Sequence, residues 1–544
     1  MNATINNNIK YLIFGIHLLV GFLLFKDYGA HTDEFDDMGV AAVSAKYCLK
    51  TFLPEKSKQI ETANPLYKEI PELSTFYEKQ YGIVTFVPPF AIKYVLGIDF
   101  FSQESIWIDH LFVFLLFWSA SICFFYLVQK LWSNQTVSLI SYLLFISNPR
   151  FFGESFYNEK DICFLSLIII SLYTLYLLIE KPSLKTAFWF SIFIALAIGT
   201  RVIAVIIIPL ALVALVLHYL FINKEKIFQS LILLLATIPL VVYLIWPFLW
   251  EHPIDNFMYA WSISKNYTKW TGIIPFNGTI YHIPPDNIPK EYLTVWMAIS
   301  QPIINILLFI AGTIFLFINT LKSKLKFFTS TKNIFIAICF LLWFLPVVAA
   351  VISHPIMFNG WRHTYFLLVP IFCLIAYGIN NLYHLKTKKI FIGITLVALS
   401  YNMYNLFSLH PHQYTYFNFL AGENPQEKYE IDYWGLSYKQ AMEHIAKTDT
   451  SKILYFASSF SWASRYTNGL KNEDKQRFYQ TEPQFANYYI TTWDQNVDVN
   501  YCKNEVFTIK QGEMKLVSVM KLAPKTYTTP PPKSGLRLTE GANL

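Results

Sequence analysis

The chain has 544 residues, 54% of them hydrophobic and 15% charged, with a formal net charge of +7. Apolar residues come in long blocks and exceed what a water-soluble core can bury, which excludes a soluble globular fold and makes this a polytopic membrane protein. The positive charge sits mostly in short lysine-bearing turns that suit anionic lipid headgroups, so no nucleic-acid partner is expected.

A hydrocarbon core about 30 Å thick needs roughly 20 apolar residues per helix, with every backbone polar group satisfied within the segment. About eleven spans are expected, at 11–25, 106–128, 135–149, 161–179, 185–200, 202–221, 227–249, 292–318, 333–353, 363–380 and 388–408. The stretch 82–97 holds Pro88-Pro89 and Lys93 and reads as an interfacial or re-entrant helix. Gly199-Thr200-Arg201 places a break and a cation between two spans that meet at a tight turn. Beyond 408 the texture changes. KILYFASS (452–459), NYYITTW (487–493) and EVFTIK (505–510) read as short strands and SYKQAMEHIAK (437–447) as a helix, giving a small α/β domain.

The expected class is therefore mainly α, with transmembrane helices over 1–408, outer loops at 26–105, 250–291 and 354–362, an extramembrane α/β domain over 409–525 and a disordered tail over 526–544. The first span is expected to act as a signal anchor. The six cysteines form no close pair, so neither a disulfide framework nor a zinc site is expected.

Orientation follows from the lysines. With a cytoplasmic N-terminus, the inside turns hold Lys130, then Lys181 and Lys185, then Lys224 and Lys226, then Lys322, Lys324, Lys326 and Lys332, then Lys386, Lys388 and Lys389. That is the positive-inside pattern of an inner (plasma) membrane protein. The longer connections, and the C-terminal domain, then face the periplasm.

Several outer segments carry chemistry. HTDEFDDMG (31–39) presents four carboxylates, Asp33, Glu34, Asp36 and Asp37, directly after the first span. Such acids can bind a metal, act as a general base or be merely solvated. NPRFFGESFYNEKD (148–161) adds Arg150, Glu154, Glu159, Lys160 and Asp161 among aromatics, NGWRHTYF (359–366) adds Arg362 and His363 at the mouth of a span, and WPFLWEHP with IIPFNGTIYHIPP (246–253 and 273–285) marks a long loop of aromatics and prolines with few charges. Acids, cations and aromatics on one face suit a substrate with a sugar, a phosphate and an apolar tail: cations hold phosphate and a carboxylate takes a proton from a hydroxyl. His31 and His363 show no spacing that closes a metal site. A divalent metal is compatible with the acids but not demanded by them, and no other cofactor is expected.

HTDEFDD, NPRFFGESFYNEKD, NGWRH, HPHQYTYFNFLAG (410–422) and DYWGLSY (432–438), in this order, resemble bacterial membrane glycosyltransferases of the C superfold (GT-C), in the group related to protein O-mannosyltransferases and the lipid A aminoarabinose transferase. The resemblance covers about four fifths of the chain. It implies an inverting enzyme that takes a sugar from a polyprenyl-phosphate carrier and places it on a lipid, glycan or protein acceptor at the outer face.

It also maps the family's catalytic acid pair to Asp33 and Glu34, with Asp33 as general base and Glu34 orienting it or the acceptor; Asp36 and Asp37 leave the choice among the four open. A polyprenyl phosphate leaves as an anion and needs no general acid, unlike a glycoside hydrolysed by two carboxylates. Its charge needs preplaced cations. Arg362 is the first choice, with Arg201, Arg150 and Lys160 behind it; Arg201 can instead snorkel, Arg150 pair with Glu154, and Arg362 cap a helix. His363, Glu154, Asp161 and Trp434 complete the expected substrate-binding set, although Tyr433 and Trp434 can equally form a packing seam. The competing class is a transporter or flippase of a lipid-linked sugar, which would place its charges near the membrane midplane.

Overall fold

The computed structural model describes residues 2–223, 227–265, 267, 269–493 and 497–523. The expected disordered tail, and Lys224 and Lys226 of one turn, lie outside the described residues. Eight described helices are long and apolar enough to cross a membrane: Gln103–Trp132, Asp161–Glu180, Val202–Phe221, Ile227–Ile245, Ile303–Thr329, Thr331–Ser353, Arg362–Tyr383 and Lys388–Ser408. The chain is thus a multi-pass membrane protein, mainly helical.

Four shorter apolar helices, Asn8–Leu24, Val87–Leu96, Gln135–Ile146 and Leu184–Ile198, accompany them. Three of these stand where spans were expected. At a rise of 1.5 Å per residue Gln135–Ile146 and Leu184–Ile198 are shorter than the apolar core of a bilayer, whereas Asn8–Leu24 is the apolar part of a helix that runs Asn2–Leu24 and is long enough to cross.

The expected span 292–318 is two helices, Tyr292–Ile299 and Ile303–Ser323. Pro302 forces the break, since it cannot donate the helical hydrogen bond and its ring disfavours helical geometry in the residue before it. Between 185 and 221 the chain does break at Gly199-Thr200-Arg201, where Arg201 is extended (φ −140°) and a 3-10 turn, Val202–Ile206, opens the next helix. The helix Val87–Leu96 starts on its proline pair and ends at Gly97, whose φ of 66° is the left-handed conformation that stops a helix. It leaves Val95 and Leu96 exposed while burying Lys93, as suits an element lying along the membrane surface.

The C-terminal sheet has five strands in the order Phe478–Gln480, Leu454–Ser458, Tyr488–Thr491, Met514–Lys521, Glu505–Gln511. The first three run parallel and the remaining pairings are antiparallel. Helix Ser437–Thr448 buries Ala441, Met442 and Ile445 against Leu454, Phe456, Val517 and Val519. This unit is tied to the loop after the first helix: the Lys439 ammonium donates to the carbonyls of Lys26 (2.7 Å), Asp27 (3.1 Å) and Tyr28 (3.3 Å). The sheet domain also reaches HTDEFDD itself, through Tyr466 on Thr32 (2.9 Å) and Arg465 on Asp36 (3.0 Å).

Candidate active site

Asp33 stands immediately before helix Glu34–Phe52, whose first turn carries Glu34, Asp36 and Asp37. Carboxylates are favoured at a helix N-terminus, and spacings of three and four put Asp33, Asp36 and Asp37 on neighbouring positions of one face. Each of the four nevertheless has different company.

Asp33 makes no capping bond. Its Oδ2 instead accepts from the Arg362 guanidinium at 2.8 Å. Burial alone would raise the Asp33 carboxyl, but Arg362 first, and Lys160 after it, hold it well below the usual carboxylate range. Glu34 accepts at Oε2 from the His31 backbone N–H (3.1 Å) and lies in a buried trio with Asp109 and Glu159, their oxygens all within 4.8 Å of one another. Asp36 pairs with Arg465 of the sheet domain (3.0 Å) and Asp37 with Lys160 (2.7 Å).

Arg362 is presented by a sharp turn. Asn359 and Gly360 have φ of 57° and 69°, a conformation open to glycine and tolerated by asparagine, and the Gly360 N–H donates to Glu430 (3.2 Å). The guanidinium lies over the Trp434 ring at 4.6 Å and beside Phe358 at 5.3 Å. One face of Trp434 is therefore occupied by Arg362, and the Trp434 carbonyl accepts from the Thr32 hydroxyl (3.1 Å). His363 packs its ring on Phe358 at 4.7 Å.

The 148–161 segment divides in two. Lys160 reaches Asp37, and Asp161 pairs with Arg201, so this half joins the Asp33 cluster. Arg150 is buried elsewhere: it donates to the Tyr433 hydroxyl (3.2 Å) and the Tyr416 carbonyl (3.1 Å), between the rings of Trp296 and Phe417. Glu154 accepts from Tyr365 (2.7 Å), Asn158 (2.7 Å) and Tyr433 (3.2 Å). Arg150 and Glu154 thus meet through the Tyr433 hydroxyl, as a buried scaffold behind the 432–438 loop.

The acidic trio is the described group able to hold a metal. Lys93 already pairs there with Asp109. Burial first, and the Asp109 charge second, raise both Glu34 and Glu159 well above the carboxylate range, which suits shared protons. His31 contributes to no such group; burial lowers it to about 3, so it is neutral and its Nδ1 accepts from the Asp33 N–H at 3.2 Å.

Asp37 gives a pH test. Burial pushes its carboxyl up to about 7 despite Lys160. A carboxyl raised above its unfolded value of about 3.9 contributes stability that is full below that value and lost as pH rises through the folded one. The unfolding midpoint in detergent is therefore expected to fall between about pH 4 and pH 7, and Asp37→Asn to flatten that slope. An unchanged slope in Asp37→Asn would show that this group does not set it.

Sequence reasoning missed Lys93 as the partner of Asp109, Arg465 as the partner of Asp36, and Glu430 as the anchor of the Arg362 turn. Asp109-His110, charged and polar at the start of an apolar block, was the one available signal. The other pairings join residues far apart in the chain.

The fold and site thus define a polytopic membrane protein whose ion-paired charge cluster lies where its loops meet a small α/β domain. Residues 84–250 match the family model described as dolichyl-phosphate-mannose-protein mannosyltransferase, under a third of the chain. That segment includes Arg150, Glu154, Lys160, Asp161 and Arg201, and across it the chain is mannosyltransferase-like, in agreement with the resemblance read from the sequence. Among solved structures the chain is similar to ArnT from Cupriavidus metallidurans bound to undecaprenyl phosphate, with a TM-score of 0.45 and 10% identity over 94% of this chain and 98% of that one. A likeness that slight transfers no role to any residue. No curated protein matches the chain.

Proposed function

We propose that the protein is an inverting glycosyltransferase that moves a sugar from a polyprenyl-phosphate carrier to an acceptor hydroxyl at the membrane face covered by the sheet domain. The observation that carries this reading is the contact of the Asp33 carboxylate with the Arg362 guanidinium at 2.8 Å, a carboxylate beside a cation of the kind that suits phosphate. The mannosyltransferase match over 84–250 supports it.

In the reaction the acceptor oxygen attacks the anomeric carbon as the bond from that carbon to the phosphate oxygen breaks. The hydroxyl proton passes to Asp33 and the carrier leaves as the phosphate anion, its charge met by Arg362, with Lys160 and Arg201 adding positive potential. Single displacement inverts the centre. The resting pair also orders the steps. While Arg362 holds Asp33 the carboxylate is a weak base; a phosphate that takes up the guanidinium removes the largest opposing charge and lets burial raise Asp33. Carrier binding thereby activates the base. Protein supplied with lipid-linked sugars extracted from its own cells should release polyprenyl phosphate, and Asp33→Asn protein should not; equal release by both would contradict the proposal.

A transporter fits less well. Among the described residues, the charges of the site that lie in spans occupy their ends: Asp161 and Arg362 are first residues, and Asp109 is in the second turn of its helix. An alternating-access site lies near the midplane.

The reading places the site in the periplasm, with the protein in the inner membrane. A reporter fused after Phe328 should then be cytoplasmic and one after Leu420 external. A cytoplasmic signal at Leu420 would reverse the orientation.

A further inference from the structure

A cavity of about 730 Å³ lies between the sheet domain, the 426–435 loop and the strand Gly272–Phe276. Its lining includes Trp270, Phe460, Trp462, Tyr466, Trp493 and Lys515. Two walls reach the candidate catalytic pair through one intervening residue each. Trp270 stacks flat on Phe358 (4.3 Å, 5°), which packs beside the Arg362 guanidinium. Tyr466 hydrogen-bonds at 2.9 Å to Thr32, the neighbour of Asp33. The volume falls within the range of about 300–1,000 Å³ usual for small-molecule sites.

None of the lining residues belongs to a described membrane span. The cavity therefore lies outside the described spans, among the loops and the sheet domain. One face of Trp270 is taken by Phe358, one of Trp462 by the Arg465 guanidinium (4.9 Å) and one of Trp493 by the Lys515 ammonium (4.7 Å), so each indole has its opposite flat, electron-rich face to offer a ligand, beside the Phe460 ring. Such faces suit the weakly positive C–H faces of a pyranose ring, while the cavity's polar groups suit its hydroxyls. A peptide has less to hold: the Gly272–Phe276 strand is paired along one edge with Thr279–Ile283, and on the other the bridge from Phe276 to Tyr429 and the missing N–H of Pro275 leave room for only a short stretch of added strand.

We infer that this cavity is the acceptor subsite and that it takes an oligosaccharide, free or as the exposed end of a larger glycoconjugate, with one hydroxyl directed towards Asp33. The inference rests on the transferase reading but is tested by binding, which needs no turnover. Full-length protein in detergent is titrated with maltotriose, chitotriose and mannotriose, followed by ligand-observed saturation-transfer NMR. At least one trisaccharide should bind, and Trp462→Ala and Trp493→Ala should each weaken it at least tenfold, with Trp462→Tyr retaining most of the affinity and Trp189→Ala, on a membrane-facing surface, changing nothing. Both alanine variants should still bind undecaprenyl phosphate and keep the wild-type unfolding midpoint. If they do not, Trp270→Phe, which keeps a ring on Phe358, replaces them with the same expected loss. Absence of trisaccharide binding, binding indifferent to these tryptophans, or saturable binding of an unglycosylated Ser/Thr peptide in their place would overturn the inference. Loss of undecaprenyl phosphate binding in wild-type protein that still binds the trisaccharide would instead overturn the transferase reading. Where a trisaccharide binds, a glycolipid bearing the same sugar end, competing for it, distinguishes an attached glycan from a free one.

Discussion

Asp33→Asn should lower sugar transfer by a factor of about 10² to 10⁴, the usual worth of a positioned general base, while carrier binding persists. Asparagine keeps the shape but cannot take the acceptor's proton. Because the substitution also frees Arg362 from its carboxylate, affinity for the carrier phosphate should hold or rise. Glu34→Gln should cost much less, under about tenfold on the same scale, because Glu34 faces Asp109 and Glu159 and not Arg362. Activity in Asp33→Asn with loss in Glu34→Gln would exchange the two roles; activity in both would remove the base from this pair. The measurement is transfer per folded molecule, with carrier binding followed separately.

Arg362→Ala should nearly abolish transfer, and Arg362→Lys should already weaken it, because a planar guanidinium forms paired hydrogen bonds to phosphate that an ammonium cannot copy. The fall should be only partly restored by added carrier, since a contact that strengthens as the phosphate leaves affects turnover as well as binding. In kcat/KM, which reports the free enzyme, the acid-side fall of Arg362→Ala should also come at higher pH than in wild type. Removing the guanidinium removes the largest force lowering Asp33, so its carboxyl rises and protonates earlier as pH falls. A purely structural arginine behaves otherwise: folded yield drops, while specific activity and pH profile stay put. That outcome would leave Lys160 and Arg201 as the phosphate cations.

How much of this was legible in the sequence varies by interaction range. The long apolar blocks and HTDEFDD after the first of them signal helices and a charged loop, because hydropathy and charge are local properties. NGWRH likewise marks a turn at a span mouth. Pro302 was visible too, but the block 292–318 reads through it because both sides are equally apolar. The strand Phe478–Gln480 is three residues long and shows no alternation. Pairings escape for a different reason. Asp33 meets Arg362, 329 residues away, and Asp36 meets Arg465, 429 residues away. No spacing rule spans such distances. Arg150 shows the opposite failure: a cation beside Lys160 in sequence turns away from it, because Pro149–Glu154 is a separate short helix facing Tyr416 and Tyr433.

The central claim is that the Asp33–Arg362 site binds a polyprenyl-phosphate sugar. The most direct test is extraction of the lipid that copurifies with the full-length protein, identified by mass spectrometry and compared among wild type, Asp33→Asn and Arg362→Ala. The account predicts a phosphorylated polyprenol bearing one sugar in wild type, more of it in Asp33→Asn, where turnover is blocked, and little or none in Arg362→Ala. Recovery of the same phosphorylated lipid in equal amounts from all three proteins would contradict it.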